Sequence, residues 1–169
     1  MKLCAIIPAY RHYSQLPRLV AALRVHCEAV IIVDDGNDNP ARDAIFALHA
    51  PENNVLCLRQ QPNAGKGAAM LTGFREAIAQ GYTHALQIDA DGQHDIADLP
   101  RFVAAMQAAP DALICGQARY DESAPKARKI GRNITHFWVW VETCSLDIAD
   151  SMCGYRLYPL AEVAAVMRG

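Results

Sequence analysis

Ala85-Leu86-Gln87-Ile88-Asp89-Ala90-Asp91-Gly92-Gln93-His94 joins a short apolar run to two carboxylates and a glycine turn. Residues 85–88 read as a buried strand, being short, mostly apolar and closed by a turn. On an extended segment residues i and i+2 point to the same side. Asp89 and Asp91 can therefore face one hard cation, Mg²⁺ or Mn²⁺, of the kind that keeps several waters and also binds substrate phosphates. Gln93 or His94 can add a further ligand or meet a phosphate. Alone, Asp-Ala-Asp-Gly would read as a solvated acidic turn. The strand before it is what turns the pair toward chemistry.

Four more short apolar runs flank this one: Leu3–Ile7, Ala29–Val33, Val55–Leu58 and Ala112–Cys115. Helical patterns lie between them. Leu16, Leu19, Val20 and Leu23 follow the i, i+3, i+4, i+7 template, as do Met70, Phe74, Ala77 and Ile78 with a small phase shift. Gly81 stops the second of these helices, and Ile96–Ala109 reads as a third, ended by Pro110. The alternation predicts an α/β protein: right-handed crossovers, a mostly parallel central sheet and helices on both faces. In such sheets the ligand site lies beyond the carboxyl ends of the strands.

The 169 residues suit one domain spanning 1–169. With 52% hydrophobic and 20% charged residues the chain can fill a core and is not disordered. A net charge of −2 provides no overall basic field for nucleic acid. No apolar run approaches the roughly 18–20 residues that span a bilayer. Six cysteines, none in a CxxC pair, argue against zinc and read as reduced cytoplasmic thiols. Cys4, Cys57 and Cys115 lie within the strand-like runs as small hydrophobes.

Each strand end carries polar or glycine-rich residues. The first leads into Pro8-Ala9-Tyr10 and the second into Asp34-Asp35-Gly36, whose carboxylates can accept hydrogen bonds from base or ribose donors. With Asp89 and Asp91 this predicts four acidic side chains on one rim. Asn63-Ala64-Gly65-Lys66-Gly67 opens a helix and suits an anion at its N-terminus. It is not a P-loop, because Gln61 stands at the first glycine and Gly67 at the Ser/Thr position. Gly116-Gln117-Ala118-Arg119 follows the fifth strand. Lys126, Arg128, Lys129 and Arg132 precede an aromatic segment, residues 134–141, that reads either as a phosphate-holding loop with a membrane-surface helix or as a charge run before a core helix. Asp150, three residues before the Cys153-Gly154-Tyr155-Arg156 turn, can face a reaction centre as a general base.

Taken in order from Ile6 to about Tyr158, these segments resemble the family 2 glycosyltransferases, in particular the branch of dolichol-phosphate mannose synthase and the polyprenyl-phosphate glycosyltransferases. The resemblance implies a GT-A fold and an inverting, metal-assisted transfer of a sugar from a UDP- or GDP-linked donor. The implied acceptor is lipid-linked, a polyprenyl phosphate or a glycolipid precursor of the cell envelope. The implied donor site comprises Pro8, Ala9, Tyr10, Asp34, Asp35, Asn63, Gly65, Lys66, Asp89 and Ala90. Asp89, Asp91 and Gln93 would hold Mg²⁺ or Mn²⁺, with Asp91 and Asp150 at the reaction centre. Arg119, Arg132 and Arg156 would meet acceptor or donor phosphates. For a hydroxyl acceptor Asp150 would take its proton; for a lipid phosphate it would only position it. Location in the cytoplasm, peripheral at the inner face of the membrane, is implied as well. Family members usually continue past the segment matching Gly154-Tyr155-Arg156, so the C-terminal part of the family's domain is expected to be absent here. A nucleotidyltransferase, which would carry its glycine-rich loop where Pro8-Ala9-Tyr10 stands, and a non-catalytic nucleotide-sugar-binding domain are the alternatives.

Overall fold

A computed structural model describes residues 1–117 and 153–168. It separates into a main body, Met1–Ile114 with Tyr155–Gly169, and a second unit, Cys115–Gly154. The expected Arg119, Lys126–Val141 and Asp150 features lie outside the described residues.

Four of the apolar runs become strands: three reach two residues further toward their polar ends than expected, and the run at Ala85–Ile88 is shifted one residue back. These are β1 (Leu3–Ala9), β2 (Ala29–Asp35), β3 (Val55–Gln60) and β4 (His84–Gln87). β1 pairs in parallel with β2 and β4, and β2 with β3. Not foreseen were a strand Arg156–Pro159, antiparallel to β4, a helix Leu160–Val166 and the short helix Ala41–Phe46. The expected fifth strand shrinks to Ile114–Cys115 (β5), with Cys115 exposed. Numbering the late strand β6, the sheet order is β3-β2-β1-β4-β6-β5. The mixed, mostly parallel α/β architecture is the expected one.

The helices are α1 (Leu16–Leu23), α2 (Ala41–Phe46), α3 (Lys66–Ala79), α4 (Leu99–Ala108) and the late α5 (Leu160–Val166). The third expected helix begins with a 3₁₀ turn, Ile96–Asp98, before α4. The β1–α1–β2 step moves one way across the sheet and β3–α3–β4 the other. Right-handed crossovers therefore place α1 and α3 on opposite faces. The cores follow this division. Cys4, Ile6, Ala29, Ile31, Val33 and Ala85 pack with Ala69, Met70, Phe74 and Ala77 of α3 and with Leu160 of α5. By the two-residue period of a strand, Ala5, Ile7, Val30, Ile32 and Leu86, all fully buried, face the other side. α2 lies there too, since the Cys57 thiol donates to the Ile45 carbonyl at 3.2 Å. Burial pushes the Cys4 and Cys27 thiols up to about 12, which keeps them unreactive.

α3 approaches β1 closely because Gly73 has no side chain: a Cβ there would fall on the Ile6 side chain. Gly73→Ala should therefore destabilise the protein by about 1–3 kcal/mol through overpacking, despite the helix preference for alanine. In an Ile6→Ala background the same substitution should be neutral or stabilising by up to about 1 kcal/mol. Urea unfolding of the four proteins in the cycle measures this, and equal effects in both backgrounds would refute the contact.

Candidate active site

The carboxyl ends of β1, β2 and β4 and the loop entering α3 enclose a cleft of about 280 Å³. Ten of the expected residues line it: Pro8, Ala9 and Tyr10 after β1; Asp35 of β2; Asn63, Gly65 and Lys66 at the start of α3; and Asp89, Ala90 and Asp91 after β4. His12, which the sequence did not single out, lines it as well.

Strand periodicity sorts the two neighbouring aspartates of β2. Asp35 shares the α3 face with Ala29, Ile31 and Val33. It is 2% exposed, and its carboxylate accepts four hydrogen bonds. Gln60 Nε2 and the Ala64 amide donate to Oδ1, while Asn63 Nδ2 and the Gly65 amide donate to Oδ2, all at 2.9–3.0 Å. Gln60 is in register opposite Asp35. Asp35 thus ties β2 to the loop that starts α3. Gly36 allows this close approach: its φ is +74°, and a Cβ on it would lie 2.7 Å from the Asn63 amide nitrogen.

Asp34 points to the opposite face, so the expected rim of four carboxylates is a rim of three. It is fully buried and pairs at 3.0 Å with Arg59, its register partner on β3. Asn37 donates to it from both its backbone amide and Nδ2. Asn37 Nδ2 also donates to the Ala9 carbonyl, and Asn37 Oδ1 accepts from the Arg11 amide at 2.7 Å. The expected nucleotide contact by Asp34 is thereby corrected to a structural one: it braces the two loops that carry Tyr10 and Gly36. Arg11, held at φ +62°, lays its guanidinium 5.0 Å from the centre of the Tyr10 ring.

Asp89 lies between the Lys66 ammonium and the His94 imidazole. Lys66 Nζ is 2.5 Å from Oδ1, and His94 Nε2 is 3.6 Å from Oδ2. Burial pushes the Asp89 carboxyl up, but His94 and Lys66 together pull it below its ordinary range. The His94 ring stacks 5.2 Å from Tyr155, which in turn stacks 4.3 Å from Phe102. Asp91 Oδ1 accepts from the Gln93 amide at 3.0 Å, a turn made with Gly92 at φ +72°. The Gln93 side chain is not among the cleft walls, and Arg156 sits on β6 opposite Gln87, also outside them.

Among the described residues no group of three or more His, Cys, Asp or Glu side chains gathers to hold a metal. Two cleft carboxylates, one with an oxygen shielded from water, fit a hard cation that takes its other oxygens from water and phosphate. They do not fit a metal that needs an all-protein cage.

A parallel sheet with a cleft of this kind at its carboxyl edge is the fold of GT-A enzymes. Staphylococcus aureus TarS, residues 1–349, superposes with a TM-score of 0.64 at 15% identity, over 99% of this chain and 49% of that one. A mycobacterial protein superposes at 0.70 with 13% identity, over 95% and 54%. The chain belongs to glycosyl transferase family 2, whose family model matches residues 4–161. It is 28% identical over 172 residues to the undecaprenyl-phosphate mannosyltransferase of Micrococcus luteus, covering 98% of this chain and 70% of that protein. It is 34% identical over 112 residues to the polyprenol monophosphomannose synthase of Mycolicibacterium smegmatis, covering 64% of this chain and 42% of that one. With the dolichyl-phosphate beta-glucosyltransferase of Dictyostelium discoideum the identity is 27%, over 92% and 53%. The chain thus spans about half the length of most of these relatives. Among the described residues no helix is long and apolar enough to cross a membrane.

Arg59→Met would leave Asp34 charged and buried with only Asn37 as donor. A loss of about 3 kcal/mol is expected in urea unfolding, the low end for breaking a buried pair; a change below 1 kcal/mol would refute the bracing role. Asp89 yields a pH test. Its folded pKa lies below the unfolded value, so its contribution to stability is complete above about pH 3.9 and is lost as pH falls through the lower folded value. Asp89→Asn should flatten the stability–pH curve below about pH 4 in metal-free buffer, and an unchanged curve would contradict the pairing.

Proposed function

We propose that this chain carries the donor-binding and transfer centre of an inverting glycosyltransferase that moves a sugar from a nucleoside diphosphate to a polyprenyl phosphate. The observation that carries the reading is the cleft at the strand ends, where Asp35, Asp89, Asp91 and Lys66 meet Pro8 and Tyr10. The relatives' names supply the acceptor class.

In this reading the nucleoside lies against Pro8 and Tyr10. The Tyr10 ring is 41% exposed, with one side covered by Arg11, and it offers the base an aromatic surface. Asp35, its four acceptor positions filled, shapes the Asn63–Gly65 loop beneath the donor instead of reading the base by itself. Lys66 Nζ, the cationic side chain among the described residues that line the cleft, faces the diphosphate.

Among the described residues, three carboxylates and one ammonium give the cleft walls a net charge of −2 with His12 neutral. An anionic diphosphate would be repelled from such a surface. A divalent cation, Mg²⁺ or Mn²⁺, held by Asp89 and Asp91, would offset this charge and act as a Lewis acid toward the departing phosphate. A lipid-phosphate oxygen attacks the anomeric carbon from the face opposite the donor diphosphate. The new C–O bond forms as the bond to the diphosphate breaks, and the anomeric configuration inverts. A phosphate acceptor is already anionic near neutral pH, so no proton need be removed, and Asp150 would position the acceptor. Arg119 and Arg132 would hold its phosphate. A reaction of this kind takes place where a lipid acceptor is presented to a cytoplasmic sugar nucleotide, at the inner membrane surface.

Calorimetric titration with UDP- and GDP-sugars, with and without Mn²⁺, tests the donor site. One of the two classes should bind in a metal-dependent way, and Asp91→Asn should lower that affinity at least tenfold while leaving the thermal midpoint within a few degrees. Transfer of labelled sugar to a polyprenyl phosphate by the full-length protein tests the acceptor. Binding that ignores Mn²⁺ in both wild type and Asp91→Asn would refute the metal assignment.

A further inference from the structure

We propose that Lys66 is the resident counter-ion of Asp89, and that a divalent cation and a diphosphate enter together by exchanging it: the cation takes the carboxylate and the diphosphate takes the ammonium. This rests on the donor-site reading above.

The two groups come from separate elements that the fold holds in place. Lys66 is the first residue of α3, directly after the Ala64 and Gly65 amides that Asp35 fixes. Asp89 follows β4, and its Oδ1, shielded from water, lies 2.5 Å from Lys66 Nζ. This is therefore a preset pair. The Lys66 side chain is nevertheless 49% exposed, so its ammonium can leave the carboxylate without disturbing the core. Its flexible stem allows the swing.

An ammonium and a divalent cation cannot share that oxygen, since like charges at such range repel strongly. With the His94 imidazole 3.6 Å from the other oxygen, a cation gains Oδ1 of Asp89 only when Lys66 moves. A displaced ammonium in this cleft needs an anion, and among the described residues the carboxylates lining it besides Asp89 are Asp91, a cation ligand itself, and Asp35, whose oxygens are already filled. A diphosphate supplies the anion. Cation and diphosphate therefore favour each other's binding, and by linkage the effect is reciprocal. Without a diphosphate the cation must compete with Lys66 and binds weakly.

Electron paramagnetic resonance of free Mn²⁺ tests this directly, with no turnover required. Wild type, Lys66→Met and Lys66→Arg are titrated with Mn²⁺ alone and then with UDP or GDP, corrected for Mn²⁺–nucleotide complexes in protein-free controls. Circular dichroism checks that each variant is folded. Wild type should bind Mn²⁺ weakly alone and about tenfold more tightly with the nucleotide that it accepts, a coupling of ordinary size. Lys66→Met should bind Mn²⁺ alone about tenfold more tightly than wild type and lose most of the coupling, while Lys66→Arg should keep wild-type behaviour. Mn²⁺ binding to Lys66→Met that is no tighter than to wild type overturns the exchange, even if nucleotide binding stands. Tighter Mn²⁺ binding to Lys66→Met with neither nucleotide bound by any of the proteins supports Lys66 as the counter-ion and instead removes the donor-site reading.

Discussion

A charged carboxylate with 2% exposure is tolerable only if its oxygens are filled, and Asp35 meets that demand with four donors from β3 and the Asn63–Gly65 loop. The same bonds leave that loop little freedom. They set the start of α3, and with it Lys66, against the end of β4. The stored price of burying Asp35 is what turns a glycine-rich loop into a fixed wall of the cleft. Asp34, one residue earlier, solves the same problem with a cation, Arg59. The two solutions on opposite faces fasten β2 to its neighbours on both sides of the sheet.

That division of labour explains why the site could be read only in part. The i, i+2 relation of Asp89 and Asp91 is local, and the rule placing ligands at the carboxyl ends of parallel strands is general; together they marked the strand-end segments, and the family resemblance picked out within them ten residues that line the cleft. Periodicity also guarantees that Asp34 and Asp35 face opposite ways. It does not say which one faces the ligand, because that depends on the face α3 takes. Once Ile31 and Val33 are seen packed under α3, Asp35 follows, but the sequence offers no such view. His12 carried no signal, standing in an irregular loop between β1 and α1. The Lys66–Asp89 pair joins the start of α3 to the turn after β4, the two ends of one crossover, and is set by how that crossover lies on the sheet, which local pattern does not encode.

The elements missed in the fold have a similar cause. β6 is four residues long and contains Pro159, so it shows neither an apolar run nor a clean alternation. It is held by its partner: Tyr158, in register with Ala85, donates through its hydroxyl to Gln87 Oε1, two residues further along the same face of β4, at 3.0 Å. α2, at six residues, is shorter than a reliable hydrophobic period. β5 was expected to be longer because Ala112 and Leu113 are apolar, yet both are exposed at the sheet edge.

The return of the chain along β6 also gives the Gly154-Tyr155-Arg156 segment a meaning that its turn-like composition conceals. Tyr155 is 4% exposed, and its hydroxyl has no hydrogen-bond partner among the described residues. An unmet buried hydroxyl costs about 1–3 kcal/mol, so the ring must contribute more than its polar end loses. It does so between Phe102 and His94, with ring centres 4.3 and 5.2 Å away. Aromatic contacts of this geometry add about 0.5–1.5 kcal/mol beyond the area they bury. The stack fixes the imidazole that faces Asp89 Oδ2. In this body of the protein the Tyr155 segment therefore acts on the carboxylate pair through His94, as a support behind the site, while Arg156 beside it lies on the strand outside the cleft. A motif at the far end of the chain thus bears on the Asp89 site by packing, and that is the relation spacing along a sequence cannot express.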